Sequence, residues 1–292
     1  MDTLPVARRH LLAASAALAL LPLAQRVSAQ AAPLRMAVHP MVGPLALVAM
    51  HQPLLQYLEH SLQRRIEFHT SPNFRSYINS LLAGEFDLAI APPHFALLAI
   101  EQGQYQALAR YAAWLEPLLV VRAQSPIRIA RDLAGQRLAM AEPLAVMRLA
   151  TVQWLADAGL VAGQGYQIVE RATHAAALMA ALHGDAEAGL AHATTVRQQP
   201  TAVQAQLRTI STGVRLPNLI TLAHRRLGPA LIERIRLALM AFTPTHPQGR
   251  VFFEPTAFQG FAAVSAEDLA ILHPFLEPTL QLLETLRRAA PD

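Results

Sequence analysis

The chain is predicted to be an α/β protein with a mostly parallel sheet and helices on both faces. Three observations predict this. Short apolar runs of strand length alternate with longer segments of helical spacing along the chain. Pro, Gly and Asn fall at the junctions between them. The stretch 137–159 also holds a complete strand–turn–helix unit, reading RLAMA, EPLAVMR, LATVQWLADAG. In such folds ligands sit beyond the carboxyl ends of the strands.

The elements follow in order. Residues 34–39 (LRMAVH) form a strand closed by Pro40, and Met41-Val42-Gly43-Pro44 a loop. Residues 45–62 carry Leu47, Leu54, Leu55, Leu58 and Leu62 at helical spacing. A strand at 65–69 leads to Thr70-Ser71-Pro72-Asn73, which caps a helix through Tyr77, Ile78 and Leu82 that ends at Gly84. Residues 86–91 (FDLAIA) are a strand broken by Pro92-Pro93, with His94 and Phe95 just past its end. Further strands are predicted at 118–122, 137–141, 166–170, 187–191, 207–210 and 219–223, and helices at 173–182 and 229–242. Between strand 137–141 and its helix, Glu142-Pro143 makes the break, Pro fitting a first helical turn. Gly159 is placed to end that helix in a left-handed cap. The helix start offers the amides of Ala145, Val146 and Met147, which favour an anion although none of the three side chains can hydrogen-bond. The same layout also fits a buried strand–helix joint with no ligand.

The ends and the composition narrow the class. Arg8-Arg9, an apolar run over 11–24 and Val27-Ser28-Ala29 read as a secretory signal at residues 1–29, with a second cleavage candidate at Ala29-Gln30-Ala31. Either the general secretory or the twin-arginine route fits, and a soluble periplasmic protein is expected. All 24 basic residues are Arg. Without the signal, three arginines and one aspartate go and the formal charge falls from +4 to +2. The arginines are scattered, so no nucleic-acid partner is expected. No Cys is present, which excludes disulfides, thiolate nucleophiles and Cys-bound metal. Hydrophobic residues at 53% allow a large core.

Six motifs in order resemble one family. They are Val38-His39-Pro40 with Gly43-Pro44; Gln52-Pro53-Leu54 with Tyr57-Leu58-Glu59; the run from Leu81 through Gly84-Glu85-Phe86-Asp87 to Ala89; Arg122 to Ile127 with Asp132-Leu133-Ala134-Gly135; His174-Ala175-Ala176 through Gly184 to Gly189; and Gly260-Phe261 with Val264-Ser265. The chain thereby resembles the periplasmic phosphate/phosphite/phosphonate-binding proteins, solute receptors of ABC importers, over residues 34–271. The resemblance implies a type 2 periplasmic binding fold of two α/β lobes joined by crossing hinge strands. It places lobe I at 33–119 and 220–292 and lobe II at 120–219. The family's Ser-Thr-Ser-Gly run, which binds phosphonate oxygens, falls on Ala145-Val146-Met147-Arg148. A family Asp falls on Ala175, another on His192, and a Tyr on Ala96. The receptor class survives these departures; a phosphonate ligand does not.

The candidate ligand-facing residues are His39, Met41, Phe74, His94, Phe95, Glu142, Ala145, Val146, Met147, Arg148, His174 and His192. Arg148 is expected to fork onto a carboxylate or sulfonate; the alternative is a solvated helix residue. The histidines are expected on the cleft rim, charging below about pH 6.5, and they can alternatively hold a metal or be scattered surface groups. No HxH or HExxH spacing occurs, so no metal is assigned. Phe74, Phe95 and Met147 supply an apolar wall or plain core. No GxSxG, Walker or GxGxxG motif occurs, and Glu142 lacks a second carboxylate for acid–base work, so neither an enzyme nor a cofactor is expected. The expected role is a monomeric solute receptor for an anionic or organic-acid ligand, delivering to ABC membrane subunits. The alternatives are a ligand-sensing partner of a membrane histidine kinase and a His-based metal carrier.

Overall fold

The computed structural model describes residues 32–289; the signal expected at 1–29 lies outside them. The first sheet is built from β1 (Leu34–Val38), β2 (Ile66–His69), β3 (Leu88–Ala91) and β4 (Tyr105–Tyr111). Between them run α1 (Pro44–Leu62), α2 (Phe74–Leu82) and α3 (Pro93–Glu101). The second sheet takes β5 (Leu118–Arg122), β6 (Arg137–Ala141), β7 (Gln167–Arg171), β8 (Ala188–Ala191) and β9 (Leu207–Ser211). Its helices are α4 (Val146–Asp157), α5 (His174–His183), α6 (Ala193–Arg197) and α7 (Thr201–Gln204). The chain then returns with β10 (Ile220–His224), α8 (Pro229–Ala241), α9 (Pro247–Thr256), β11 (Phe261–Ala262), α10 (Ala266–Leu272) and α11 (Leu276–Ala289).

Strand order is β11-β4-β10-β3-β1-β2 in the first sheet and β7-β6-β8-β5-β9 in the second. β10 is inserted antiparallel to both β3 and β4, and β5 antiparallel to both β8 and β9. These two are the strands on which the chain enters one sheet from the other. The remaining strands, apart from the two-residue β11, share one direction within each sheet. The predicted α/β class therefore holds, in a two-sheet form.

Period-two alternation sets the layers. In β1, Leu34, Met36 and Val38 pack against α1, α8 and α9, with Leu54, Leu58, Phe242 and Phe252. Ala37 faces the opposite layer, with Tyr77, Phe95 and Leu97 from α2 and α3. The second sheet buries Leu119, Leu138 and Met140 on the α4 side and Ala139, Ala177 and Ala180 on the α5 side. α5 is alanine-rich and lies tight on β8; a Cβ at Gly189 would run into the Ala177 carbonyl.

Between the sheets the two crossing segments are clamped. Leu115 and Leu216 exchange both backbone hydrogen bonds at 2.9 Å. The guanidinium carbons of Arg110 and Arg215 both lie over the Trp114 ring, at 4.6 and 4.8 Å from its centroid. Arg110 is held from behind by Asp268 at 3.0 Å, both side chains nearly buried.

β4 and α3 have no counterpart among the predicted elements. β4 reads YQALARY, and its buried Arg110 is legible only with Asp268 in place. α3 is apolar all round, PHFALLAIE, so it carries no 3.6-residue contrast. Pro92-Pro93 ends β3 as expected and also starts α3. Pro143 lies before α4, which begins at Val146 with Ala145 as its N-cap. Gly159, at φ 85, follows the helix as the left-handed residue expected there.

Candidate functional site

The carboxyl ends of β1 and β3 deliver His39 and His94 to one edge of the first sheet. The ends of β6, β7 and β8, adjacent in the second sheet, deliver Glu142 to Ala145, His174 and His192. On the first sheet an aromatic wall forms. The His39 ring meets Phe74 edge-on at 5.9 Å and Tyr77 at 6.4 Å. Phe74 meets Phe95 at 5.8 Å, and His94 lies against Phe95 at 4.3 Å. Four predicted site residues thus come together, with Tyr77 added.

The second sheet touches this wall through Leu144. His94 Nε2 donates to the Leu144 carbonyl at 2.9 Å. The Leu144 side chain is buried in the same cluster as Tyr77 and Phe95. Leu144 was legible only as one apolar position near a helix start, because nothing in a sequence says that a residue on one sheet packs with the other.

The cradle at the start of α4 is built by Glu142. Its carbonyl accepts from Ala145 N at 2.9 Å, and its Oε1 accepts from Leu144 N at 3.2 Å. It holds φ 25, a left-handed conformation that a non-glycine residue adopts under strain. The amides of Val146 and Met147 have no hydrogen-bond partner among the described residues. Their side chains, however, turn into protein. Met147 joins the core of the second sheet, and Val146 packs with Leu216, Ile271 and Phe275. The expectation of open, ligand-facing side chains is therefore corrected: both are enclosed by protein, and Ala145 alone of the three stays half-buried.

Arg148 differs from expectation too. Its guanidinium makes a two-pronged pair with Glu170, at 2.6 and 2.7 Å, and is not free to fork onto a ligand. Met41 packs against the α1-side core. His174 and His192 stand edge-to-face at 5.7 Å. His174 Nδ1 is 3.3 Å from the Leu190 carbonyl, and His192 caps α6 by accepting from Thr195 N at 3.4 Å.

The rim of chargeable imidazoles is likewise corrected. Burial pushes His39 and His94 down to about 3 and His192 to about 4, and it lowers His174 as well. All four are neutral at physiological pH. Among the described residues no group of three or more His, Asp or Glu side chains comes together around a metal-sized position, and no helix is long and apolar enough to cross a membrane.

Two helix-flanked sheets joined by paired crossing strands are the fold of the type 2 periplasmic binding proteins. A family model described as "ABC transporter, phosphonate, periplasmic substrate-binding protein" matches residues 36–269. The chain belongs to that family. Solved structures of the same fold include PhnD1 from Prochlorococcus marinus (MIT 9301) in complex with methylphosphonate. It is similar at 12% identity with a TM-score of 0.72, over 85% of this chain and 98% of that one. XAC2383 from Xanthomonas citri, bound to ATP, is similar at 18% identity with a TM-score of 0.70, over 86% and 98%. The alkanesulfonate-binding protein SsuA from Xanthomonas axonopodis pv. citri, bound to MOPS, follows at 19% and 0.56, over 90% and 96%. Members of the family are the periplasmic substrate-binding components of ABC transporters, so a small-molecule ligand and membrane transporter subunits are implied partners.

Proposed function

We propose that this substrate-binding component takes a small organic acid with one anionic head, carboxylate or sulfonate, and not phosphate or a simple phosphonate. One observation carries the reading. The α4 cradle offers two free amides and no hydroxyl, and the wall beside it consists of uncharged rings. Helix-start amides attract an anion without help from side chains. The aromatic wall suits carbon, at about 25 cal/mol for each Å² taken out of water. In this reading lobe I comprises 33–119 with 220–292, lobe II comprises 120–219, and the ligand is held where Leu144 meets His94.

Isothermal calorimetry tests it. Each hydrogen bond to a charged oxygen that a hydroxyl would have supplied is worth roughly 1.5–3 kcal/mol. Three absent hydroxyls weaken phosphonate binding by at least about three decades. Millimolar or weaker phosphate and methylphosphonate, beside tighter alkanesulfonates or short carboxylates, is the expected result. Micromolar methylphosphonate would overturn the reading.

A further inference from the structure

We propose that His94 reads a hydrogen-bond donor on the ligand, so that the preferred acid carries a hydroxyl or amino group on its carbon body. The inference rests on the organic-acid reading above and sharpens it.

The Leu144 carbonyl carries no proton, so its 2.9 Å contact fixes the ring proton of His94 on Nε2. Nδ1 is then a bare lone pair. It is fully enclosed, and it has no partner. Buried acceptors in native proteins are paired with few exceptions, and each exception asks for a reason. Two features give one here. His94 stands at the end of β3, on the edge where this fold binds ligands. His39, in the same aromatic wall, leaves its own Nδ1 buried and unpartnered.

The loop after β6 brings the two groups near one another. Successive Cα atoms lie about 3.8 Å apart, so Leu144, which holds the ring, and Val146, which offers a free amide, are within roughly 7 Å. The acids chosen for the test are therefore short, with the donor two or three carbons from the head. Plain alkyl acids of that length leave the lone pair unsatisfied.

The test uses matched acids on the purified exported protein: ethanesulfonate against isethionate and taurine, and propanoate against 3-hydroxypropanoate. Calorimetry near pH 7.5 should show the donor-bearing member binding about tenfold tighter, the worth of one buried hydrogen bond. His94→Gln places an amide where Nε2 was, keeps the donation to Leu144, and has nothing at the Nδ1 position. In it the ratio between donor-bearing and plain acid should shrink to within about twofold, whatever the affinity of the plain acid itself. His94→Asn, with a carbonyl near the Nδ1 position, should keep part of the preference. Equal affinities in the wild type, meaning that a buried water alone meets Nδ1, overturn the inference, as does a preference that His94→Gln leaves intact. Nitrogen-15 shifts of labelled histidine give an answer independent of any variant's folding: an Nδ1–H tautomer at His94 overturns it. Acids that bind without discrimination sink this inference alone, whereas no acid binding at all sinks the organic-acid reading with it.

Discussion

Leu144→Ala separates a leucine that stabilises the fold from one that holds two sheets together. The side chain is 2% exposed. It comes from the loop after β6 of the second sheet but is buried with first-sheet residues. Leu138, at 0% within the second sheet's own core, is the control. Leu138→Ala should lower the unfolding free energy by about 2–5 kcal/mol, because the surroundings cannot collapse onto the void. The Leu144 contact has another way to relax, which is parting of the two halves. Its unfolding free energy should fall by only about 1 kcal/mol, the cost depending on how freely a site relaxes. Of the burial energy of a leucine, about 1.5–3 kcal/mol, the remaining ~0.5–2 kcal/mol should move the closed-to-open balance roughly 2–30-fold toward open. Urea denaturation reads the first quantity and small-angle X-ray scattering of the ligand-free protein the second. A larger radius of gyration with a small stability loss is expected. Equal stability losses in the two variants at unchanged radius would refute the reasoning and make Leu144 ordinary core.

Two further predictions concern stability. His51 and His94 have no exposed surface, and burial pushes their imidazoles down to about 4 and about 3. The unfolded chain binds these protons first, so their contribution is complete above pH 6.5 and is lost as pH falls toward 4 and 3. At pH 5 the loss is about 2 kcal/mol for each; urea midpoints that stay flat from pH 7 to 5 would contradict the burial. Asp268→Ala leaves the Arg110 guanidinium buried and unpaired and breaks the reciprocal cap between Ser265 and Asp268. A loss of about 3–5 kcal/mol is expected, and one below about 1 kcal/mol would show the pair to be solvated.

Much of the fold was legible in the sequence because it is written in local pattern. β1, α2 and β6 announce themselves by an apolar run or by a cap such as Asn73, whose side chain accepts from Ser76 N as the sequence implied. The family motifs supplied the order of the pieces. What stayed hidden depends on pairing across distance. Arg110 in β4 needs Asp268, far along the chain, before it makes sense as a buried strand residue. Arg148 looked free because Glu170 sits on another strand, β7. His94 looked like a rim residue because no local pattern says that Leu144 will cover it. The site's residue types could be read from the sequence; their charge state could not, since it is set by burial.

That charge state makes Arg148 the place where specificity can be moved. The pair with Glu170 cancels a cation within the first turn of α4, leaving the helix start as the source of positive potential there, worth about half a unit charge. In the organic-acid reading proposed above, such a site matches a monoanion better than a dianion. Glu170→Gln removes the cancelling charge while keeping a side chain of the same size. Glu170 is largely exposed, so its loss leaves no buried group stranded; the Arg148 side chain beneath it is 12% exposed. A freed guanidinium roughly 8 Å from a ligand charge, at an effective dielectric of about 40, contributes about 1 kcal/mol for each unit of that charge. The dianion gains about twice what the monoanion gains, so discrimination between phosphate and an alkanesulfonate should move about fivefold toward phosphate. Calorimetry at pH 8, where phosphate is mostly dianionic, measures the ratio directly, and added salt should shrink the gain. If both ligands gain equally, or neither gains, Arg148 does not feel the cradle and the ligand's head is bound elsewhere.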